Sequence, residues 1–365
     1  MTSPPPSTDA SLVDVLVVGG GIAGASLAAE IMDSRRVVLA EAEERCGMHA
    51  TGRSAAFYLE SYGGPAVSFL SRASHAFLAD PPVDFAQRGF LTPRGAIHLS
   101  RTPQPEAMLD RAALESRITG LRPGWNHGWA EENCADIDVA ALHQAYLAAF
   151  RRAGGEVRTE SRLAAAHWDG SAWRVRFERG EEIRATVLVD AAGAWADPVA
   201  EACGVRPLGI LPKRRTMVQL RVGRRGLRHL PQLLDHDGRF YLKGEGDNVV
   251  WLSPHDEIAT EPCDAAPEEI DVATAIDRFE SVVDWPIEAV ERRWAGLRSF
   301  APDRVPVYGF DPRQPNFFWC AGQGGFGIQT APAAARLAAS LLLGAPLHES
   351  LAGIDPALYS PARFG

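Results

Sequence analysis

Long apolar runs are missing from this 365-residue chain. The best of them, AARLAASLLLGAPL near the C-terminus, falls short of the ~18 residues that cross a bilayer as a helix. Basic excess is missing too: 37 Lys and Arg stand against 46 Asp and Glu. A net charge of −9 argues against a surface for nucleic acid or anionic membrane. Cysteine is sparse. Cys46, Cys134, Cys203, Cys263 and Cys320 are odd in number, scattered, and form no CxxC pair. Neither a disulfide framework nor a metal site is expected, and the thiols read as reduced, in the cytoplasm. The opening MTSPPPSTDA has no basic or apolar signal region, so residues 1–11 read as a disordered tail. No internal repeat occurs, and no second glycine signature that would mark a separate nicotinamide-nucleotide domain. What remains is 46% hydrophobic and 23% charged, the composition of a well-cored globular protein.

What is there begins with DVLVVGGGIAGASLAAEIMDSRRVVLAEAE. A short strand, Val15 to Val18, runs into Gly19-x-Gly21-x-x-Gly24, then an Ala-rich helix that includes Ala23, then a strand VVLA ending at Glu41. Gly19 permits the tight turn, Gly21 lets the backbone approach a pyrophosphate, and Gly24 lets helix and strand pack closely. The helix N-terminus turns its partial positive charge to the phosphates. Glu41 is placed to accept from ribose hydroxyls. Strand, glycines, helix, strand and acid together predict a dinucleotide site.

Further along, Asp138 caps a predicted helix that ends at Gly154-Gly155 and feeds a strand. The stretch WRVRFERGEEIRATVLVDAAGAW reads as a hairpin, then a buried strand Val187 to Val189 entering a turn at Gly193. FFWCAGQGGFGIQTAPAAARLAASLLLG reads as a strand, a glycine loop, and a helix with Pro332 in its first turn and Gly344 at its end.

The Gly19 motif, Glu41, GMHATGRSAA, VLVDAAGAWAD, WAGLRSFAPDRVPVYG and AGQGGFGIQT come in an order and spacing that resemble the FAD-dependent D-amino acid oxidase family. PKRR, FYLK and WAGLRSF liken the chain, over about residues 12–361, to that family's bacterial D-arginine dehydrogenases. The resemblance implies a mixed α/β fold: a Rossmann-like FAD-binding domain interleaved with a β-rich substrate-binding domain. The first would take residues 12–56, 140–210 and 301–365, the second residues 57–139 and 211–300. It implies that Ala50, Thr51, Gly52, Arg53 and Ser54 form a flavin-side loop, that Leu163 lies against the adenine, and that Gly193 passes close to FAD. It also implies that Gly324, Gly325, Gly327 and Ile328 aim a positive helix end at the flavin. FAD is expected to be non-covalent, because WAGLRSFAPD holds none of the cysteine that some relatives use; Cys320 reads as core.

On the substrate side the resemblance implies a carboxylate clamp of Arg298 and Arg215, since a guanidinium fork meets a carboxylate with two parallel hydrogen bonds. Tyr62 would be a lid or wall, and Tyr241 a hydroxyl donor to the carboxylate. Gln329 matches a glutamine near the substrate or flavin edge, although alone it reads equally as a polar residue at a helix start. Three positions depart from the D-arginine pattern: Phe57 replaces a histidine, Leu59 a threonine, and Ala96 the guanidinium-binding glutamate. Glu60 would carry that role if the register slips. A cation against Phe57 and Ala96 would be desolvated without a partner, so a wider, apolar pocket and a neutral substrate are expected. The expected reaction oxidises the Cα–N bond of a D-amino acid by hydride transfer to flavin N5. The imino acid then hydrolyses to a 2-oxo acid and ammonia. A secondary amine or N-alkyl amino acid substrate, or a role as the FAD subunit of a hetero-oligomeric dehydrogenase, stays open. So do the electron acceptor (oxygen, a quinone or a carrier) and the choice between monomer and homodimer.

Overall fold

The structure, a computed structural model, is described from Leu12 to Gly365; the tail expected over residues 1–11 lies outside the described residues. Strand β1 (Leu12–Val18) and strand β2 (Val37–Ala40) run parallel, joined by helix α1 (Ile22–Ile31). The last four residues of β1 and all of β2 are buried, the pattern of strands covered on both faces. Strand Glu182–Asp190 pairs parallel to β1 on the other side. Its far edge is shared: Trp173–Phe177 runs antiparallel beside its first half, and Phe317–Ala321 parallel beside its end. The result is a mixed eight-stranded sheet. The hairpin arm and the buried strand expected near Val187 are one element, because Ile183 and Ala185 already point inward and lead directly into the fully buried residues 188–190.

A second, ten-stranded sheet is centred on two long antiparallel strands, Leu211–Val222 and Ile287–Phe300. Their register sets Lys213 opposite Arg298 and Arg215 opposite Gly296. Strand side chains alternate with period two, so Arg215 and Arg298 share one face as diagonal neighbours. A small third sheet joins β3 (Phe57–Tyr58), β4 (Leu91–Pro93) and the strand Ala135–Ile137.

Helix α2 (Gly64–Ala79) belongs to the segment expected on the substrate side, and its Leu70, Phe77 and Leu78 share a core with Leu27 and Ile31 of α1 and with Leu337, so its apolar stripe is covered from the β1–α1 side. One expectation is corrected. The last helix spans Gly327–Leu343, which puts Pro332 in its second turn and not its first. Ser74 of α2 accepts a hydrogen bond from the N–H of Ala333, next to the proline, at 3.1 Å. The helix stops at Gly344, whose φ of +62° suits glycine.

Candidate active site

A cavity of about 390 Å³ runs from the β1–α1 turn, past the loop after β2, to the paired strands that carry Arg215 and Arg298. The turn is built by close approach. A Cβ on Gly19, at φ +109°, would lie 2.4 Å from the Ala191 carbonyl oxygen, and one on Gly24 would lie 2.0 Å from that of Gly19. Only glycine fits at either place. Gly21, Ile22 and Ala23 line the cavity, which exposes it to the positive end of α1. Glu41 is buried at the wall and accepts from the N–H of Gly20 (2.8 Å) and of Glu43 (3.0 Å). These bonds fix the carboxylate and leave lone pairs for sugar hydroxyls.

The loop after β2 behaves differently, residue by residue. Ala50, Thr51, Arg53 and Ser54 line the cavity, as do Leu163, Gly193, Gly324, Gly325, Gly327 and Ile328. Gly52 does not: a Cβ there would lie 2.5 Å from the Gly47 carbonyl oxygen, so this glycine closes the turn. The Thr51 hydroxyl accepts from the N–H of Ile22 at 3.0 Å, capping α1 from a distant segment. The Arg53 guanidinium turns away and donates to the carbonyls of Ala265 (2.8 Å) and Ala295 (3.1 Å), and it pairs with Asp264. It fastens the loop to the second sheet. His143 was not anticipated; its Nε2 bonds the Gly20 carbonyl at 2.9 Å, and Gly47 makes room for its ring.

At the other end Arg215 is 4% exposed. Its Nε donates to the Asp256 carbonyl (2.7 Å) and its Nη2 to Glu257 (3.4 Å), while Nη1 has no hydrogen-bond partner. Glu257 is also claimed by Lys213 (3.3 Å) and Arg304 (2.9 Å), and the Asp256 carboxylate lies 3.9 Å from Arg215 Nε, so two acids face the four cations Arg215, Arg298, Lys213 and Arg304. Arg298 donates from Nη1 to the Tyr62 hydroxyl at 2.9 Å and has no carboxylate partner among the described residues. Burial, and then repulsion from Arg298, lowers the pKa of Arg215. Burial would raise that of the Tyr62 phenol, but Arg298 and Arg215 override it and hold it below the ordinary value. The site holds surplus positive charge in a poorly hydrated place, which an anion would relieve.

The side-chain end is apolar but not wide. Ala96 and Leu59 are 2% and 1% exposed and do not line the cavity. They pack with Phe57, Met217, Leu234 and Tyr241. Phe57 lies 5.8 Å from Tyr62 and 5.7 Å from Tyr241, ring centre to centre. These apolar side chains cover Ala96, so no open space adjoins it and the wide pocket expected there is not present. Glu60 bonds Arg72 at 3.2 Å outside the cavity. Tyr241 donates its hydroxyl to the Met217 sulfur at 3.1 Å, a weak acceptor that a carboxylate would readily replace.

Gln329 makes no wall of the cavity. Its Oε1 accepts from the Leu59 N–H (3.1 Å), and its Nε2 donates to Ser71 Oγ (2.8 Å) and the Leu59 carbonyl (3.3 Å). It holds the turn that presents Tyr62. His255 was missed altogether. Its Nε2 meets the Tyr62 hydroxyl at 3.1 Å, and no sequence pattern pointed to it.

A family model described as FAD dependent oxidoreductase (DAO) matches residues 14–341. Glycine oxidase of Pseudomonas aeruginosa is 26% identical over 95% of this chain and 98% of its own. FAD-dependent oxidoreductase domain-containing protein 1 of Bos taurus is 25% identical over 96% of this chain and 85% of its own. Glycine oxidase from Geobacillus kaustophilus superposes with a TM-score of 0.80 at 20% identity, covering 96% of this chain and 99% of that one. L-proline dehydrogenase from P. horikoshii gives 0.81 at 18%, covering 96% and 97%. These relatives support the family; they do not support the narrower likeness to D-arginine dehydrogenases. Among the described residues no helix is long and apolar enough to cross a membrane.

Proposed function

Since the chain belongs to the DAO family of FAD dependent oxidoreductases, we propose that it oxidises the C–N bond of a small amino acid or N-alkyl amino acid. One observation carries the reading. Arg215, buried and with a spare donor, and Arg298, half-buried, both line the cavity beside Tyr241 and Met217, behind which Phe57, Leu59 and Ala96 pack without reaching the cavity, so little room is left for a side chain. The D-configured, bulky apolar substrate suggested by the open-pocket expectation fits this wall less well than a glycine-sized one. The glycine oxidases among the relatives point the same way.

The residues present suit FAD: a glycine cradle, a fixed acid at Glu41, a helix end at Gly21 to Ala23, and a second at Gly327 and Ile328. When bound, FAD supplies the two-electron acceptor. The protein's part is placement and proton control. Arg215 Nη1 and the Arg298 fork would take the carboxylate oxygens, with Tyr241 turning from sulfur to oxygen. Tyr241 and Met217, backed by Phe57 and Tyr62, would keep water from the carbon that reacts. The same desolvation lowers the pKa of the substrate ammonium towards the neutral amine that oxidation requires.

The test is anaerobic flavin bleaching with glycine, N-methylglycine, both alanine enantiomers, proline, D-leucine, D-arginine and glycolate. Fast bleaching is expected from glycine or N-methylglycine. Bleaching only by D-leucine or D-arginine would overturn the small-substrate reading, and bleaching only by glycolate would overturn amine oxidation.

A further inference from the structure

Resting on that reading, we propose that His255, at the edge of a second cavity behind the site, receives the proton of the substrate ammonium through the Tyr62 hydroxyl. The hydrogen bonds fix a direction. Arg298 Nη1 can only donate, so the Tyr62 oxygen accepts from it, and the phenolic hydrogen is left to His255 Nε2. The other ring nitrogen, Nδ1, bonds the Gly238 carbonyl, which can only accept. That fixes the neutral tautomer with hydrogen on Nδ1 and a lone pair on Nε2 facing Tyr62. Tyr62 is not itself a wall of the cavity and its second lone pair lies towards Arg215, so the relay requires that the substrate nitrogen take that place when Arg215 turns to the carboxylate.

The step balances without electron exchange. The ammonium gives one proton to the Tyr62 oxygen, the phenol's own proton crosses to Nε2, and Tyr62 ends as it began. The imidazolium that results borders a cavity of about 320 Å³ lined also by Asp256, Asp271, Arg239 and Arg278; Asp271 pairs with Arg214 and Asp256 accepts from Thr216, so the proton stays on the imidazole until the product leaves. His255 holds a φ of +56°, uncommon outside glycine, kept by a bond from its N–H to Ser253 Oγ at 3.1 Å. An arrangement that strains a residue to face a tyrosine on one side and a cavity on the other suits a relay.

The surrounding charges explain why the relay waits for substrate. Burial, then Arg215 and Arg298 on the two long strands, hold the imidazole down at about 4, with Glu257 opposing. Tyr62 and Tyr241 flank it without formal charge. A substrate carboxylate between the arginines cancels much of their field, so the ring becomes basic when there is a proton to accept.

His255→Asn is the test, because asparagine tolerates the left-handed backbone. Flavin reduction by the best amine at pH 7 should fall about a hundredfold. The acidic limb of kcat/KM should move up by about one pH unit or more, while acetate binds within about twofold of wild type. In a Tyr62→Phe background the change should add less than about twofold. An unmoved acidic limb, or full additivity with Tyr62→Phe, overturns the proposal. Ring-15N spectra of the wild type test it without any variant: hydrogen on Nδ1 supports it, and hydrogen on Nε2 overturns it. If no amine reduces the wild type, the functional reading itself has failed.

Discussion

Gly325→Ala should separate catalysis from stability, because the added methyl meets only the tip of the clamp. A Cβ at Gly325 would lie 2.7 Å from Arg298 Nη1, 2.8 Å from Cζ and 3.0 Å from Nε. Ordinary contact needs about 3.5–4.0 Å, so the guanidinium must retreat by about 1 Å. The loss of one charge-assisted bond to the carboxylate, about 1.5–3 kcal/mol, is about a tenfold to 150-fold fall in kcat/KM. Stability should change less. The Tyr62–Arg298 bond is worth a similar about 1.5–3 kcal/mol, and reduced freedom of the unfolded chain returns about 0.4–1 kcal/mol. The net cost is therefore about 0.5–2.6 kcal/mol, and no strained backbone is involved, since the φ of Gly325 is not positive. Stopped-flow flavin reduction, thermal melting and FAD titration on one preparation measure all three quantities. In an Arg298→Ala background the alanine should change kcat/KM by less than about twofold. Wild-type efficiency in Gly325→Ala, or an equal loss in both backgrounds, would refute the clamp.

Acid precipitation should leave FAD in a yellow supernatant over a colourless pellet; a yellow pellet would point to Cys263, which lines the cavity. Ala96→Glu should lower stability by at least about 2 kcal/mol in urea unfolding, since it puts a carboxylate where the side chain is 2% exposed and enclosed by apolar groups. It should not confer turnover of D-arginine, and a gain would mean that Ala96 reaches the substrate after all. Stability should fall on acidification below pH ~6.5. The unfolded His255 protonates there, whereas the folded one, lowered to about 4, resists; the loss reaches at most about 3 kcal/mol near pH 4. The His255→Asn protein should have the flatter profile, and an unchanged slope would exclude His255 as its source.

The nucleotide end was legible because its determinants are local. Gly19, Gly24 and Glu41 act within one strand–helix–strand unit, and backbone sterics alone specify glycine at the first two. Arg215 and Arg298 share a face through a register of two long strands, which alternation could suggest only after the motif resemblance had singled them out. What escaped joins distant segments. Gln329 meets Leu59 across 270 residues, and His255 meets Tyr62 across 193. Thr51 caps a helix 29 residues behind it, and His143 braces a turn 123 residues away. Each is a polar residue whose partner is set by the fold, so residue type told that it needed a partner and not which one.

The pocket shows why reading a substitution in isolation misleads. Exchange of polar for apolar residues at positions 57, 59 and 96 predicts open space only if the remaining side chains keep their places. Interiors close-pack, and an apolar surface too small to hold ordered water draws its neighbours in. Phe57 and Leu59 therefore fill what a shorter polar set would have left open, and Ala96 ends beneath them. On the proposed reading the selectivity would change in kind. An acid in an open pocket would select by charge at the far end of a long side chain. A filled apolar wall behind two arginines would select by size next to a carboxylate, which the surplus positive charge beside Glu257 would favour.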